Sequence, residues 1–176
     1  QQVNVKPLLG LEVDWTGAGR LSLLAHNLQG WGNLCRISSA LMLQPDPQAP
    51  CSLDFLAQNN SGLLALADAA AGEERLGSLK DVFGPRFYLA LSDPAHGLPA
   101  SGLARRMGLP LVVTHPVYML TPRQAALQRT LTAIRLNQPL SQLPEGAPAP
   151  PGSHFDSVSR MEMRFSSFPR ALAATA

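Results

Sequence analysis

Cysteine is nearly absent from this chain of 176 residues, which holds only Cys35 and Cys51. Two isolated thiols make no disulfide framework, and no C-x-x-C or H-E-x-x-H spacing gathers zinc ligands. Both are read as small buried hydrophobes. Long apolar runs are missing too. None reaches the ~20 residues of a membrane span, and no basic-then-apolar signal peptide opens the chain, so the expected compartment is the cytoplasm. Charge is scarce: 15% of residues are Asp, Glu, Lys or Arg, so part of the surface is expected to be covered by other protein. The net charge of +2 is no basic footprint, which argues against direct nucleic-acid binding. No GK[ST] follows Gly17-Ala18-Gly19, so those glycines form no phosphate loop. The first residue is Gln1 rather than Met, from which a piece of a longer protein or a processed product is expected.

What is present suits one domain, or most of one. Apolar residues make up 45% of the chain, enough for a sizeable core. Val5 to Trp15 and Arg20 to Ala25 read as strands joined by the turn Thr16-Gly17-Ala18-Gly19, a hairpin. Leu28 to Leu43 reads as a helix with Leu34, Ile37 and Leu41 on one face, extended by Trp31 and Ser38. Ser52 is positioned to cap a short helix. Gly62–Ala67 and Arg86–Leu91 read as strands around a helix over 72–83, with Leu76, Leu79 and Phe83 inward. Ser101 to Met107 reads as a helix stopped by Gly108. Leu109 to Thr114 is unbroken in its apolarity, as in parallel strands buried on both faces. Thr121-Pro122 opens a helix whose apolar stripe is Leu127, Leu131 and Ile134. Residues 145–153 read as a Pro-rich linker. Met161, Phe165, Phe168 and Leu172 then fall on two short helices, the second starting near Pro169. Strands alternating with helices predict an α/β domain with a mostly parallel sheet; periodicity does not choose between a barrel and an open sheet.

Few residues suggest chemistry. Glu12 and Asp14 share one strand face and could hold a cation, but Lys6 or Arg20 offers either a salt bridge. His115 stands where Leu109–Thr114 runs into a loop, and its bland role is a hydrogen bond to backbone. His26, His96 and His154 lie beside turn residues and are expected to face solvent. Arg105-Arg106 complements a helix C-terminus. Ser38-Ser39 and Ser166-Ser167 have no neighbouring base, and Trp15 and Trp31 read as core or subunit-contact residues.

Several segments, in order, carry a resemblance. They are Lys6-Pro7-Leu8-Leu9-Gly10-Leu11-Glu12, Leu23 through Leu34 with Gly30-Trp31-Gly32-Asn33-Leu34, Gly62-Leu63-Leu64-Ala65-Leu66, and Arg86-Phe87-Tyr88-Leu89-Ala90-Leu91. With Gln128 through Arg135 and Met161, Phe165, Pro169, Ala171-Leu172 and Thr175, the chain resembles the polymerase and histidinol phosphatase (PHP) domain. That domain opens the alpha subunit of bacterial DNA polymerase III and its error-prone relatives. Asn33-Leu34-Cys35-Arg36 and Leu131-Thr132-Ala133-Ile134-Arg135 lean toward the error-prone kind.

The resemblance implies a distorted β/α barrel of PHP type, incomplete at the N-terminus. Residues 1–144 would be the barrel portion, 145–153 a linker, and 154–176 a helical segment leading toward the polymerase core. The family's His-x-His pair and following Asp-His would lie upstream. Of its metal ligands that can be compared, Glu12 retains a carboxylate, but Pro116-Val117-Tyr118 stands where Asp-Val-His is usual, and Arg20 where a His is frequent. Glu12 and His115 are the remaining weak metal candidates; no catalytic residue is assigned. The implied role is a non-catalytic structural module of a DNA-directed DNA polymerase in replication or repair synthesis. Its partners would be the remainder of the polymerase chain and replisome subunits. DNA would be reached only through the parent enzyme, whose magnesium lies outside this chain. The alternative is a PHP phosphoesterase or 3′–5′ exonuclease with zinc or manganese. A third reading is a degraded gene product. Isolated, such a piece is expected to be poorly soluble because of open strand edges.

Overall fold

The computed structural model describes residues 7–15, 19–46, 49–150 and 152–175. Its strands are β1 (Gly10–Asp14), β2 (Arg20–Ala25), β3 (Leu63–Asp68), β4 (Phe87–Leu91) and β5 (Leu111–Val113). The helices are α1 (Leu28–Leu43), α2 (Leu53–Gln58), α3 (Glu73–Phe83), α4 (Gly97–Met107), α5 (Ala125–Leu136), α6 (Val158–Arg164) and α7 (Pro169–Ala173). This is a mixed α/β chain. It divides into two compact units, Gln1–Val113 with Arg170–Ala176, and Thr114–Pro169. The stretch 145–153 lies inside the second.

In the first unit the sheet runs β1-β2-β3-β4-β5. Glu12 stands opposite Ser22 in the antiparallel β1–β2 pair. β2–β3 is also antiparallel, whereas β3–β4 and β4–β5 are parallel. The sheet is therefore half antiparallel, less parallel than the alternation of strands and helices predicts. Alternation along each strand sets its two faces. Leu21, Leu23, Leu63, Ala65, Phe87 and Leu89 are buried against Leu34 and Ile37 of α1, Leu56 of α2, and Leu76, Leu79 and Phe83 of α3. Each such Leu or Phe contributes about 1.5–3 kcal/mol by leaving water. On the opposite face Ser22, Leu24, Leu64, Leu66, Tyr88 and Ala90 are only half-buried.

Local chemistry fixes the element ends. The Asn27 side chain accepts from Gly30 N–H to open α1, and Ser52 caps α2 by accepting from Phe55 N–H. Gly108 adopts the left-handed conformation that ends α4. At β5, the Val113 N–H donates to the Thr175 hydroxyl at 3.0 Å.

Several expectations are corrected. β1 starts at Gly10; Pro7 to Leu9 is not strand, and Val5 and Lys6 lie outside the described residues, as do residues 16–18 of the turn over 16–19. β5 is confined to Leu111–Val113. α4 starts four residues early, at Gly97, because Pro99 sits in a first turn whose N–H groups need no helical partner. Cys35 is exposed, and only Cys51 is buried. Of the two tryptophans read as core or subunit-contact residues, Trp15 is core and Trp31 is exposed, which leaves that reading uncorrected.

In the second unit, Gln124 Oε1 accepts from Leu120 and Thr121 N–H, closing the turn at Pro122–Gln124 that leads into α5. Met119 and His154 form an isolated parallel bridge. The apolar stripe of α5, Leu127, Leu131 and Ile134, is exposed; Thr132 and Ala133 are the buried positions of this helix.

Candidate functional site

Glu12 lies in β1 on the half-buried face of the sheet. Register places Ser22 opposite it, Leu66 opposite Ser22, and Tyr88 opposite Leu66. The row running across the sheet from Glu12 is thus a hydroxyl, an aliphatic side chain and a phenol. Its carboxylate is held by Arg20, with the Arg20 guanidinium 3.1 Å from Glu12 Oε2. Arg20 is also the register partner of Asp14. Both side chains of the Arg20–Glu12 pair are half or more exposed, at 63% and 50%.

Sequence reasoning passed over Asp68. β1 and β3 both run antiparallel to β2, and β4 runs parallel to β3. Asp14, Asp68 and Asp93 therefore stand at or just beyond the carboxyl ends of three strands, the end of an α/β sheet where ligands usually bind. Two of these carboxylates are occupied locally. Asp68 Oδ1 accepts from Ala70 N–H at 2.8 Å, and Asp93 Oδ1 from Ala95 N–H at 3.0 Å, each opening a short 3-10 turn. The signal available in sequence was an Asp directly after an apolar strand.

His115 belongs to the second unit. Its Nε2 lies 2.7 Å from the His154 carbonyl oxygen. A carbonyl only accepts, so Nε2 carries the hydrogen. Arg164 approaches the other nitrogen, Nδ1, at 3.4 Å; a guanidinium only donates, so Nδ1 supplies its lone pair. Both nitrogens are thereby engaged, one by a carbonyl and the other by a guanidinium. Pro116 and Tyr118 are exposed. The Tyr118 N–H donates to the Ser153 carbonyl at 3.0 Å. His26 and His96 are exposed, but His154 is only half-exposed and its Nε2 is buried without a hydrogen-bond partner. Glu12 and His115 fall in different units.

Metal-ion phosphoester chemistry needs several His and carboxylate donors converging in fixed geometry. Among the described residues, no three His, Cys, Asp or Glu side chains are grouped so as to hold an ion. The donors present do not fit the zinc or manganese cluster of a PHP phosphoesterase. No step through such a cluster follows from this arrangement. Burial pushes the Cys51 thiol above its ordinary value, which makes it a poor nucleophile.

The PHP domain model matches residues 1–94, the stretch holding β1 to β4. The chain belongs to the PHP family. Curated relatives carry the match across the rest of this PHP chain. An error-prone DNA polymerase of Mesorhizobium japonicum is 34% identical over 90% of the chain and 16% of its own length. One of Pseudomonas fluorescens is 34% identical over 81% of the chain and 15% of its own length. One of Symbiobacterium thermophilum is 27% identical over 99% of the chain and 20% of its own length. The chain thus spans between about a seventh and a fifth of these relatives. Among the described residues no helix is long and apolar enough to cross a membrane.

Proposed function

We propose that this PHP chain is a non-catalytic structural module of a bacterial DNA-directed DNA polymerase of the error-prone type, serving repair or replicative synthesis from the cytoplasm. The observation that carries this reading is the state of its two metal candidates. Glu12 is spent on Arg20, and both nitrogens of His115 are engaged by a carbonyl and a guanidinium. The module would act by packing on the polymerase body and placing it among replisome subunits. Magnesium and DNA would be handled by that body. The five strands would form an arc of a PHP barrel, whose interior side is the half-buried face around Leu64, Leu66 and Tyr88. Residues 154–176 would lead from the barrel portion toward the core.

The competing reading is a phosphoesterase or 3′–5′ exonuclease using zinc or manganese, for which the retained Glu12 carboxylate speaks. Release of phosphate from p-nitrophenyl phosphate and of nucleotides from a 3′-labelled DNA strand, with manganese or zinc supplied, separates the two. The structural reading expects rates equal to those of Glu12→Ala. Turnover that Glu12→Ala abolishes would establish the catalytic reading instead.

A further inference from the structure

Helix α5 is amphipathic in the wrong sense for a free surface. Leu127, Leu131 and Ile134 recur at helical spacing and so share one side, yet they are 56%, 57% and 69% exposed. The other side is the anchored one. Gln128 donates to the Thr132 hydroxyl at 3.1 Å and accepts from Ala149 N–H at 3.1 Å, and Thr132 and Ala133 are buried. The helix is held in place by its polar side and presents its aliphatic side outward.

We propose that this stripe, Leu127, Leu131 and Ile134, is the seat of the polymerase body on the module. The inference rests on the reading above and gives it a surface. Two observations select the occupant. The chain spans at most about a fifth of the polymerases it matches, so proteins of that kind hold several times its own length of further polypeptide. The charged residues of α5 and of the turn before it are all of one sign: Arg135 flanks the stripe, Arg123 precedes it, and Arg129, on the other side of the helix, donates to the Leu140 carbonyl; there is no acid from Pro122 to Leu136. The complementary surface is therefore an apolar patch rimmed by Asp or Glu, an ordinary protein interface with a charge-poor centre and arginine at its border. DNA fits less well, because a nucleic-acid interface is polar and cationic throughout, whereas the outward centre here is aliphatic.

The test compares hydroxyl-radical footprinting of the intact polymerase chain that carries this module with footprinting of the 176-residue chain alone. Leu127, Leu131 and Ile134 are expected to be oxidised at least about tenfold more slowly in the intact protein. In parallel, the polymerase body is supplied separately and its affinity for the module is measured. Leu131→Asp, at an exposed position, is expected to weaken it about thirtyfold or more, with an unchanged circular dichroism spectrum. Equal oxidation in both preparations, whether fast or slow, overturns the docking surface. So does undiminished affinity of Leu131→Asp, and in both cases the polymerase reading stands. A dimer of the module that Leu131→Asp dissolves, or DNA binding lost in Arg123→Ala with Arg135→Ala, overturns it by naming another occupant. Failure of the unaltered module to associate with the polymerase body in any form removes the underlying reading as well.

Discussion

Gly30 is where the packing of α1 tolerates least. A Cβ added there would collide with the carbonyl oxygen of Gly62. That oxygen is fixed, because it accepts from His26 N–H at 2.9 Å. Gly62 cannot swing aside easily either: it sits at φ +72° with the Asn27 carboxamide against it. Gly30→Ala must therefore push α1 away from the turn before β3. Overpacking of this kind costs about 1–3 kcal/mol. Straining the His26–Gly62 hydrogen bond and the Asn27 cap costs roughly 1 kcal/mol each. The better helix propensity of alanine returns about 1 kcal/mol. The net loss is about 2–4 kcal/mol, or roughly 5–15 °C in melting temperature for a chain of this size. Gly32→Ala is the control, since its added Cβ would meet nothing within 4 Å and should stabilise the same helix slightly. Thermal melts followed by far-ultraviolet circular dichroism read both. If Gly30→Ala melts with the parent chain, or alongside Gly32→Ala, the close approach of α1 to Gly62 is refuted.

Other outcomes follow from the same geometry. Arg86 donates to the Asn60 and Leu63 carbonyls and to Asn60 Oδ1; Arg86→Met leaves these acceptors unpaired and should cost about 2–4 kcal/mol in a urea titration. The Glu12–Arg20 pair is half in water, so Glu12→Ala should change stability by less than about 1 kcal/mol; a larger loss would show that Glu12 holds something other than Arg20. Iodoacetamide at neutral pH should label Cys35 and spare Cys51 until the chain unfolds, as mass spectrometry would show. Because burial raises the Cys51 thiol above its ordinary value of 9.0, the unfolded chain gives up this proton first as pH rises. Stability should therefore decline above about pH 9, and Cys51→Ala should flatten that decline.

Sequence patterns locate α1 and α3 because Leu34, Ile37 and Leu41, and Leu76, Leu79 and Phe83, repeat at helical spacing, and the structure caps these helices with Asn27 before α1 and Gly84 after α3. The same patterns cannot say what an apolar stripe packs against. Leu127, Leu131 and Ile134 repeat as regularly as Leu34, Ile37 and Leu41, yet the first set is exposed, while Leu34 and Ile37 are buried and Leu41 partly so. Periodicity reports a face, and only topology reports its neighbour. Gly97 and Pro99 concealed the first turn of α4, since both residues disfavour a helix interior and neither disfavours its start. The Arg20 partner of Glu12 was legible because a hairpin brings the two strands together locally. The surroundings of His115 were not: His154 and Arg164 lie 39 and 49 residues away, and no short-range spacing joins them.

Titration calorimetry with manganese and with zinc on the purified chain, read alongside metal content by mass spectrometry, reaches the central claim most directly. Donors already engaged by Arg20, Arg164 and the His154 carbonyl predict no stoichiometric ion and no difference between the parent chain and the pair of substitutions Glu12→Ala and His115→Ala. One or more tightly bound ions per chain, lost in that double variant, would contradict it.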